Sequence, residues 1–134
     1  MMYYFAYASN LNRKQMWERC PDSRPKYTAT LPNYKLVFLG WSRQWRGGTA
    51  SIRLFQGEKV LGAIYEISEQ CLRRLDQYEG YPDVYNRFEV TVFTEDGEPV
   101  QATTYIKVDQ SEETVPAPAY VSVIQQGYKD WEIV

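Results

Sequence analysis

The chain has 134 residues, of which 44% are hydrophobic and 16% aromatic, and its formal net charge is −2. These values predict one folded domain, residues 1–134, and argue against disorder. The small net charge gives no electrostatic basis for binding nucleic acid or an anionic membrane. No stretch is long and apolar enough to span a bilayer, and the first residues lack a secretory signal pattern, so we expect a cytoplasmic protein.

The sequence contains no histidine and only two cysteines, Cys20 and Cys71. Histidine-based catalytic triads and histidine metal sites are therefore excluded. Two cysteines so far apart in sequence also disfavour a disulfide framework and a zinc site. Any acid–base chemistry must use carboxyl, amine, phenol or thiol groups, or a group of the substrate.

The amino-terminal residues predict a strand, a turn and a helix. Tyr3–Tyr7 is apolar and aromatic, as in a buried strand, and the small or polar residues after it form the turn. Ser9 or Asn10 can cap a helix from about Leu11 to Cys20, which Pro21 ends. The free N–H groups at such a helix start can bind an anion, although an ordinary capped turn gives the same pattern.

Four strands are predicted in the middle of the chain, in two pairs that each enclose a turn: Lys26–Leu31 and Tyr34–Trp41 around Pro32-Asn33, then Thr49–Phe55 and Val60–Ile67 around Gln56-Gly57. A loop over residues 42–48 separates the two pairs and ends in Gly47-Gly48. A glycine pair before a strand indicates either close approach of the backbone to a ligand or a flexible, bulged segment.

A helix from Ser68 to Gly80 carries the most informative carboxyl group. Ser68 is a suitable N-cap, and Gly80 is a typical stop signal. Leu72, Leu75 and Glu79 share one helical face, so Glu79 continues an apolar stripe in the last turn. Burial and the negative end of the helix dipole both raise a carboxyl pKa, which suits a proton-transfer catalyst. An exposed glutamate at a frayed helix end is the alternative interpretation.

The rest of the chain predicts a hairpin, a polar loop, a helix and a final turn packed by Trp131: Tyr85–Thr94 and Val100–Val108, Asp109–Thr114, Ala119–Gln126, and Tyr128–Val134. Pro118 stands near the start of that helix and Gly127 at its predicted stop. Six or seven strands joined mostly by hairpins, with three short helices, predict an α+β domain. We expect a small, mostly antiparallel mixed barrel with the helices packed around it.

Three separated segments match one family in order and spacing: Tyr4–Leu11 (YFAYASNL), Trp45–Ala50 (WRGGTA) and Leu75–Gly80 (LDQYEG), with a weaker match at Pro116–Tyr120 (PAPAY). On these segments the sequence resembles the γ-glutamylcyclotransferases of the AIG2-like superfamily. The resemblance implies a small mixed β-barrel whose pocket holds a γ-glutamyl group. It also implies cyclisation of that group to 5-oxoproline with release of an amino acid or amine. No metal or organic cofactor is expected.

The resemblance assigns roles to particular residues. Glu79 is the expected catalytic acid and base, and the expected substrate-binding residues are Tyr7, Ala8, Ser9, Asn10, Leu11, Gly48, Tyr85 and Tyr120. Ala8 stands where the family has a glycine. If that position has a positive φ, alanine costs about 1 kcal/mol or shifts the loop.

Two other functions remain open at this stage. The substrate could be a γ-glutamylamine of the isopeptide type, or the domain could be a non-catalytic binding module that kept the pocket. A catalytic role is favoured because a binding module gains nothing from a carboxyl in an apolar position. The expected partner is a small γ-glutamyl molecule, and the expected assembly is a monomer or homodimer.

Overall fold

The computed structural model describes residues 2–110 and 112–133, which form a closed barrel of five strands surrounded by helices. The strands are β1 (Met2–Ala6), β2 (Arg24–Ser42), β3 (Gly47–Ile67), β4 (Tyr85–Phe93) and β5 (Pro99–Lys107). A 3₁₀ turn (Ala8–Leu11) precedes α1 (Arg13–Arg19), and the later helices are α2 (Glu69–Glu79) and α3 (Pro118–Asp130). The strand order is β1-β3-β2-β4-β5, parallel between β1 and β5 and antiparallel elsewhere. The predicted α+β barrel is confirmed.

The middle of the barrel is one long hairpin rather than two short ones. β2 and β3 pair from Arg24 opposite Glu66 to Ser42 opposite Gly47, so the chain reverses only at residues 43–46. The predicted turns at Pro32-Asn33 and Gln56-Gly57 are wrong. Asn33 and Gly57 do have positive φ, 64° and 92°, but they face each other across the hairpin, where the pairing register shifts. The Gly57 N–H donates to Asn33 Oδ1 at 3.2 Å. The two residues therefore bend the continuous β2–β3 hairpin and do not form two separate turns.

The first helix begins later than the sequence predicted. Residues 8–11 form their own 3₁₀ turn, and Asn12 caps α1 by accepting a hydrogen bond from the Gln15 N–H at 3.0 Å. Ser9 and Asn10 are therefore not the cap. An asparagine one turn further along satisfies the free N–H groups of α1, which leaves the preceding turn available for other contacts.

The second helix has the bounds that its sequence signals predicted. The Ser68 hydroxyl accepts a hydrogen bond from the Cys71 N–H at 3.1 Å, and Gly80 ends the helix in the left-handed conformation with φ 68°. Leu72 and Leu75 are buried on the face that packs into the core. Glu79 is thus fixed as the last residue of α2.

Cys20 and Cys71 form a disulfide, which corrects the expectation drawn from their spacing. Cys20 ends α1 and Cys71 lies in the first turn of α2, with their Cα atoms 5.3 Å apart. The expectation was wrong because the sequence separation of two cysteines carries no information about which helices pack together. The bond joins the two helices that follow β1 and β3.

The last helix runs through its predicted stop. Gly127 lies inside α3, where a Cβ atom would sit 2.6 Å from the Asn12 nitrogen and 2.8 Å from Leu11 Cβ. Glycine is therefore required for close packing and does not end the helix. The Trp131 indole N–H donates to the Leu11 carbonyl at 2.8 Å, so α3 fastens the 3₁₀ turn from outside.

Two buried clusters lie on opposite faces of β1. Tyr4 and Ala6 belong to the cluster with α1, α2 and Trp131, whereas Phe5 and Tyr7 belong to the cluster with α3. This alternation is the two-residue period of a strand buried on both faces.

No helix within residues 2–110 and 112–133 is long and apolar enough to cross a membrane. Ser111 in the predicted polar loop and Val134 in the predicted final turn lie outside the described residues.

Replacing Gly127 with alanine should destabilise the protein, although alanine normally stabilises a helix interior by about 1 kcal/mol relative to glycine. The new methyl group would collide with the backbone at Asn12, and overpacking of this kind costs about 1–3 kcal/mol. The free energy of unfolding, measured by urea denaturation, checks this. Ser122→Ala on the exposed face of α3 is the control and should change stability little; a more stable Gly127→Ala protein would contradict the packing argument.

Candidate active site

Glu79 lies in a small cavity, as its place on α2 predicted. Its side chain is 16% exposed and lines a cavity of about 110 Å³ together with Tyr7–Asn10. The end of α2 and the turn after β1 therefore meet at one point. A frayed helix end with Glu79 in solvent, the alternative drawn from sequence, is not what the structure shows.

The cavity gathers most of the predicted site residues but not all of them. Its lining includes Glu79, Tyr7, Ala8, Ser9, Asn10, Tyr85 and Tyr120. Leu11 and Gly48 do not line it. Leu11 is fully buried in the core, and Gly48 packs against the backbone of the segment before α3, with its N–H donating to the Val115 carbonyl at 3.0 Å. The residue after Gly48, Thr49, reaches the cavity instead.

Ala8 adopts the left-handed conformation that glycine favours. Its φ is 56°, and its side chain is buried. A Cβ atom makes this conformation unfavourable by about 1 kcal/mol. The chain thus retains a backbone geometry suited to glycine and accepts the strain of alanine.

The Asn10 side chain places a positive charge beside Glu79. Its Oδ1 accepts hydrogen bonds from Arg19 Nη1 at 3.0 Å and from Gln15 Nε2 at 3.1 Å, while its amide donates to the Tyr4 hydroxyl at 2.8 Å. The same Arg19 nitrogen lies 3.6 Å from Glu79 Oε1. Asn10 therefore connects β1 and α1 to the catalytic candidate, and its side chain is occupied by these internal bonds.

Burial raises the pKa of Glu79 to about 7, against the opposing effects of Arg19 and Lys107. Lys107 comes from β5, and its ammonium group donates to the Leu39 carbonyl at 2.7 Å and to the Thr49 hydroxyl at 2.9 Å. Two cations thus face the carboxyl without forming a close ion pair at hydrogen-bond distance. The result is a carboxyl group that exists in both protonation states near neutral pH.

Tyr85 and Tyr120 hold the same strand residue from two sides. The Tyr85 hydroxyl donates to the Ala50 carbonyl at 2.6 Å, and the Ala50 N–H donates to the Tyr120 hydroxyl at 2.9 Å. Burial raises the pKa of Tyr120 to about 12 and that of Tyr85 well above its usual value. Both phenols are therefore neutral near pH 7 and act as fixed dipoles in the cavity wall.

Several cavity residues escaped prediction: Tyr4, Arg19, Ser42, Gln44, Trp45, Thr49, Ala50, Tyr78 and Tyr105. Some of them lie inside the resembling segments, so that resemblance contained a signal for Tyr4, Trp45, Thr49, Ala50 and Tyr78. Trp45 packs on Tyr120 with ring centroids 5.1 Å apart and covers that side of the cavity. Nothing in the sequence pattern singled out Arg19, because its role depends on the contact between α1 and α2.

The arrangement suits proton transfer to and from a small polar molecule. A carboxyl with a pKa of about 7 can accept and return a proton at neutral pH. The cavity wall around the carboxyl consists largely of aromatic rings and small or polar residues, with Arg19 as its cation. Within residues 2–110 and 112–133 no group of three His, Cys, Asp or Glu side chains is placed to hold a metal ion.

Replacing Lys107 with methionine should raise the pKa of Glu79 above its value of about 7. The ammonium group stabilises the ionised carboxyl, so its removal favours the protonated form, and we expect an increase of about 0.5. The ¹³C shift of the Glu79 carboxyl, followed by NMR across a pH titration, measures this. Lys59→Met, an exposed site on β3, should leave the titration unchanged. An unaltered or lower pKa in Lys107→Met would show that Lys107 has no electrostatic effect on the site.

Comparison with known proteins gives a consistent assignment. The family model described as "Gamma-glutamyl cyclotransferase, AIG2-like" matches residues 4–131. A γ-glutamylcyclotransferase of Bos taurus is 33% identical over 132 residues, covering 95% of this chain and 70% of the bovine protein. The Homo sapiens γ-glutamylcyclotransferase is 32% identical with the same coverage.

A solved structure named gamma-glutamyl cyclotransferase superposes with a TM-score of 0.92 at 30% identity. The alignment covers 97% of this chain and 79% of that one. The family match, the sequence identity and the structural superposition all agree. The chain therefore belongs to the γ-glutamyl cyclotransferase, AIG2-like family.

Proposed function

We propose that this protein cyclises the γ-glutamyl group of a small substrate to 5-oxoproline and releases the attached amino acid or amine. The observation that carries the proposal is Glu79, a largely buried carboxyl with a pKa of about 7 in the cavity formed with Tyr7–Asn10. Family membership supplies the reaction class, and the geometry supports a group able to move the protons that this reaction requires.

The first step is removal of a proton from the substrate. The α-amine of a γ-glutamyl group is protonated near neutral pH, and an ammonium group has no lone pair with which to attack. Glu79 in its ionised form accepts one of these protons. The cations Arg19 and Lys107 keep a fraction of Glu79 ionised despite burial. A bound ammonium group lowers the pKa of Glu79 further, because it is an additional positive charge next to the carboxylate.

The second step forms the ring. The α-nitrogen attacks the γ-carbonyl carbon of the same molecule, and the carbonyl oxygen carries the negative charge of the tetrahedral intermediate. The bond between that carbon and the leaving nitrogen then breaks, and protonated Glu79 gives its proton to the leaving nitrogen. Glu79, ionised again, accepts the second proton of the ring nitrogen and passes it to the released amine, which leaves as an ammonium ion. Because nucleophile and electrophile belong to one molecule, catalysis consists largely of holding the chain in the folded pose. A cavity of about 110 Å³ with Trp45 on one side restricts the extended poses.

The turn after β1 is the proposed binding element for the glutamyl head. The backbone N–H groups near Ala8–Asn10 are suited to the α-carboxylate or to the developing oxyanion. Tyr7, Tyr85 and Tyr120 supply the neutral wall beside it. Gly48 and Leu11 would act indirectly, Gly48 by letting β3 approach the segment before α3 and Leu11 by fixing the turn in the core.

Glu79→Gln should fold normally and lose about 10²-fold or more in turnover, the scale for removing a positioned acid–base group. The assay measures 5-oxoproline released from a panel of γ-glutamyl dipeptides and from ε-(γ-glutamyl)lysine. Glu89→Gln, an exposed site on β4, is the matched control and should retain wild-type activity. Release of 5-oxoproline from none of the panel would favour the binding-module alternative, and preference for the isopeptide would favour the γ-glutamylamine alternative.

The same base assignment predicts the pH dependence. Protonated Glu79 cannot accept the ammonium proton, so kcat/KM should fall as the pH drops through about 7, the Glu79 pKa. The acid limb of kcat should lie at lower pH than that of kcat/KM, since the bound ammonium lowers the pKa in the complex. Glu79→Asp should move or abolish the limb. A limb that stays in place in both Glu79→Asp and Glu79→Gln would belong to another group.

Ala8→Gly should bind γ-glutamyl substrates at least as well as the wild type. Glycine adopts φ 56° without the penalty that alanine carries, so the turn keeps its shape with less strain. The KM and kcat of Ala8→Gly for one γ-glutamyl dipeptide test this, with thermal unfolding as a check on folding. Loss of activity in the glycine variant would instead identify the alanine methyl group as a specificity determinant.

A further inference from the structure

A groove between α1 and α2 adjoins the active-site cavity. It has a volume of about 390 Å³ and is lined by Glu18, Arg19, Arg74, Gln77 and Tyr78. Arg19 and Tyr78 line the cavity as well, so the two spaces meet at these side chains. Glu79 follows Tyr78 directly in α2. A molecule whose reacting carbonyl lies beside Glu79 can therefore extend its other end into the groove.

The groove contains a guanidinium group without an ionic partner. In the part of the chain that the structure describes, Arg74 has no carboxylate within 4 Å of its guanidinium and is exposed to solvent. Arg19 differs, since its guanidinium is already engaged by Asn10 and Glu79 and lies 4.7 Å from the Tyr78 ring centroid. Arg74 and Tyr78 stand four residues apart and so share one face of α2.

The Tyr78 ring offers a surface between the two arginines. The residue is 60% exposed, with Arg19 over its ring, so much of its area faces solvent at the groove. An apolar ring of this kind packs against a small side chain at low conformational cost. Glu18 is the opposing charge in the groove and would repel an anion, so the charges on both helices affect what binds.

We propose that this groove is the leaving-group subsite, and that Arg74 selects γ-glutamyl compounds whose leaving amine is an α-amino acid by pairing with its free carboxylate. The inference rests on the proposed cyclotransferase function. A guanidinium binds a carboxylate through two parallel N–H donors, which gives both energy and orientation. A leaving amine without a carboxylate has no partner for Arg74. The groove takes no part in bond breaking, which stays with Glu79 and the substrate amine.

Two substrates that differ chiefly by one carboxylate test the proposal: γ-glutamyl-alanine and γ-glutamyl-ethylamide. Arg74→Gln should lower kcat/KM for γ-glutamyl-alanine about 3- to 30-fold, mainly through KM, because an exposed charge-assisted pair is lost. The same variant should change kcat/KM for γ-glutamyl-ethylamide little. Glu18→Gln should raise kcat/KM for γ-glutamyl-alanine. It lowers KM because it removes a negative charge that repels the substrate carboxylate. Both effects should shrink at 1 M salt.

Arg73→Gln is the matched control, because Arg73 is also exposed on α2 but does not line the groove. Arg73→Gln should leave kcat/KM unchanged for both substrates. An Arg74→Gln variant that affects the two substrates equally, or affects neither, would overturn the inference while leaving the cyclotransferase function intact. Absence of 5-oxoproline from both substrates with the wild-type protein would overturn the proposed function and the inference together.

Discussion

The site depends on a carboxylate that is removed from most of its water before any substrate arrives. Burial alone would keep Glu79 protonated, and a close ion pair would keep it ionised. Arg19 at 3.6 Å and Lys107 on β5 lie between these extremes and hold the pKa at about 7. Arg19 is itself fixed by the Asn10 side chain at 3.0 Å. The pKa of Glu79 therefore depends on how the 3₁₀ turn, α1, α2 and β5 are packed against one another.

That packing is supported from outside by α3. Gly127 allows the helix to approach the Leu11–Asn12 backbone, and the Trp131 indole holds the Leu11 carbonyl at 2.8 Å. On the far side of the cavity Tyr120, from the same helix, accepts a hydrogen bond from the Ala50 N–H. One helix thus connects the turn after β1 to the wall formed by β3. The barrel supplies rigid strands, and α3 sets the distance between the turn after β1 and the cavity wall on β3.

Local signals in the sequence predicted the elements whose structure is decided locally. α2 followed from its Ser68 cap, its Gly80 stop and its apolar face, and the placement of Glu79 followed from α2. The long strands could not be obtained in this way, because the residues at Asn33 and Gly57 resemble turns until they are seen paired with each other. Gly127 was misread for a related reason, since a glycine that permits close packing and one that ends a helix look alike in sequence. Arg19 and the cysteine pair depend on contact between α1 and α2, which no single segment reports. The family resemblance, rather than residue patterns, indicated Tyr7–Asn10, Tyr85 and Tyr120.

The disulfide between Cys20 and Cys71 also acts on the unfolded chain. Arg19 directly precedes one cysteine, and Glu79 follows the other by eight residues. Through the bond, the path between these two charged groups is about sixfold shorter than along the peptide chain, which lowers the entropy cost of bringing them together by about 1.5 kcal/mol. In the oxidised chain the acid and its neighbouring cation remain tethered neighbours even without a barrel. In the reduced chain they must find each other across both long strands, so the redox state governs how the site assembles.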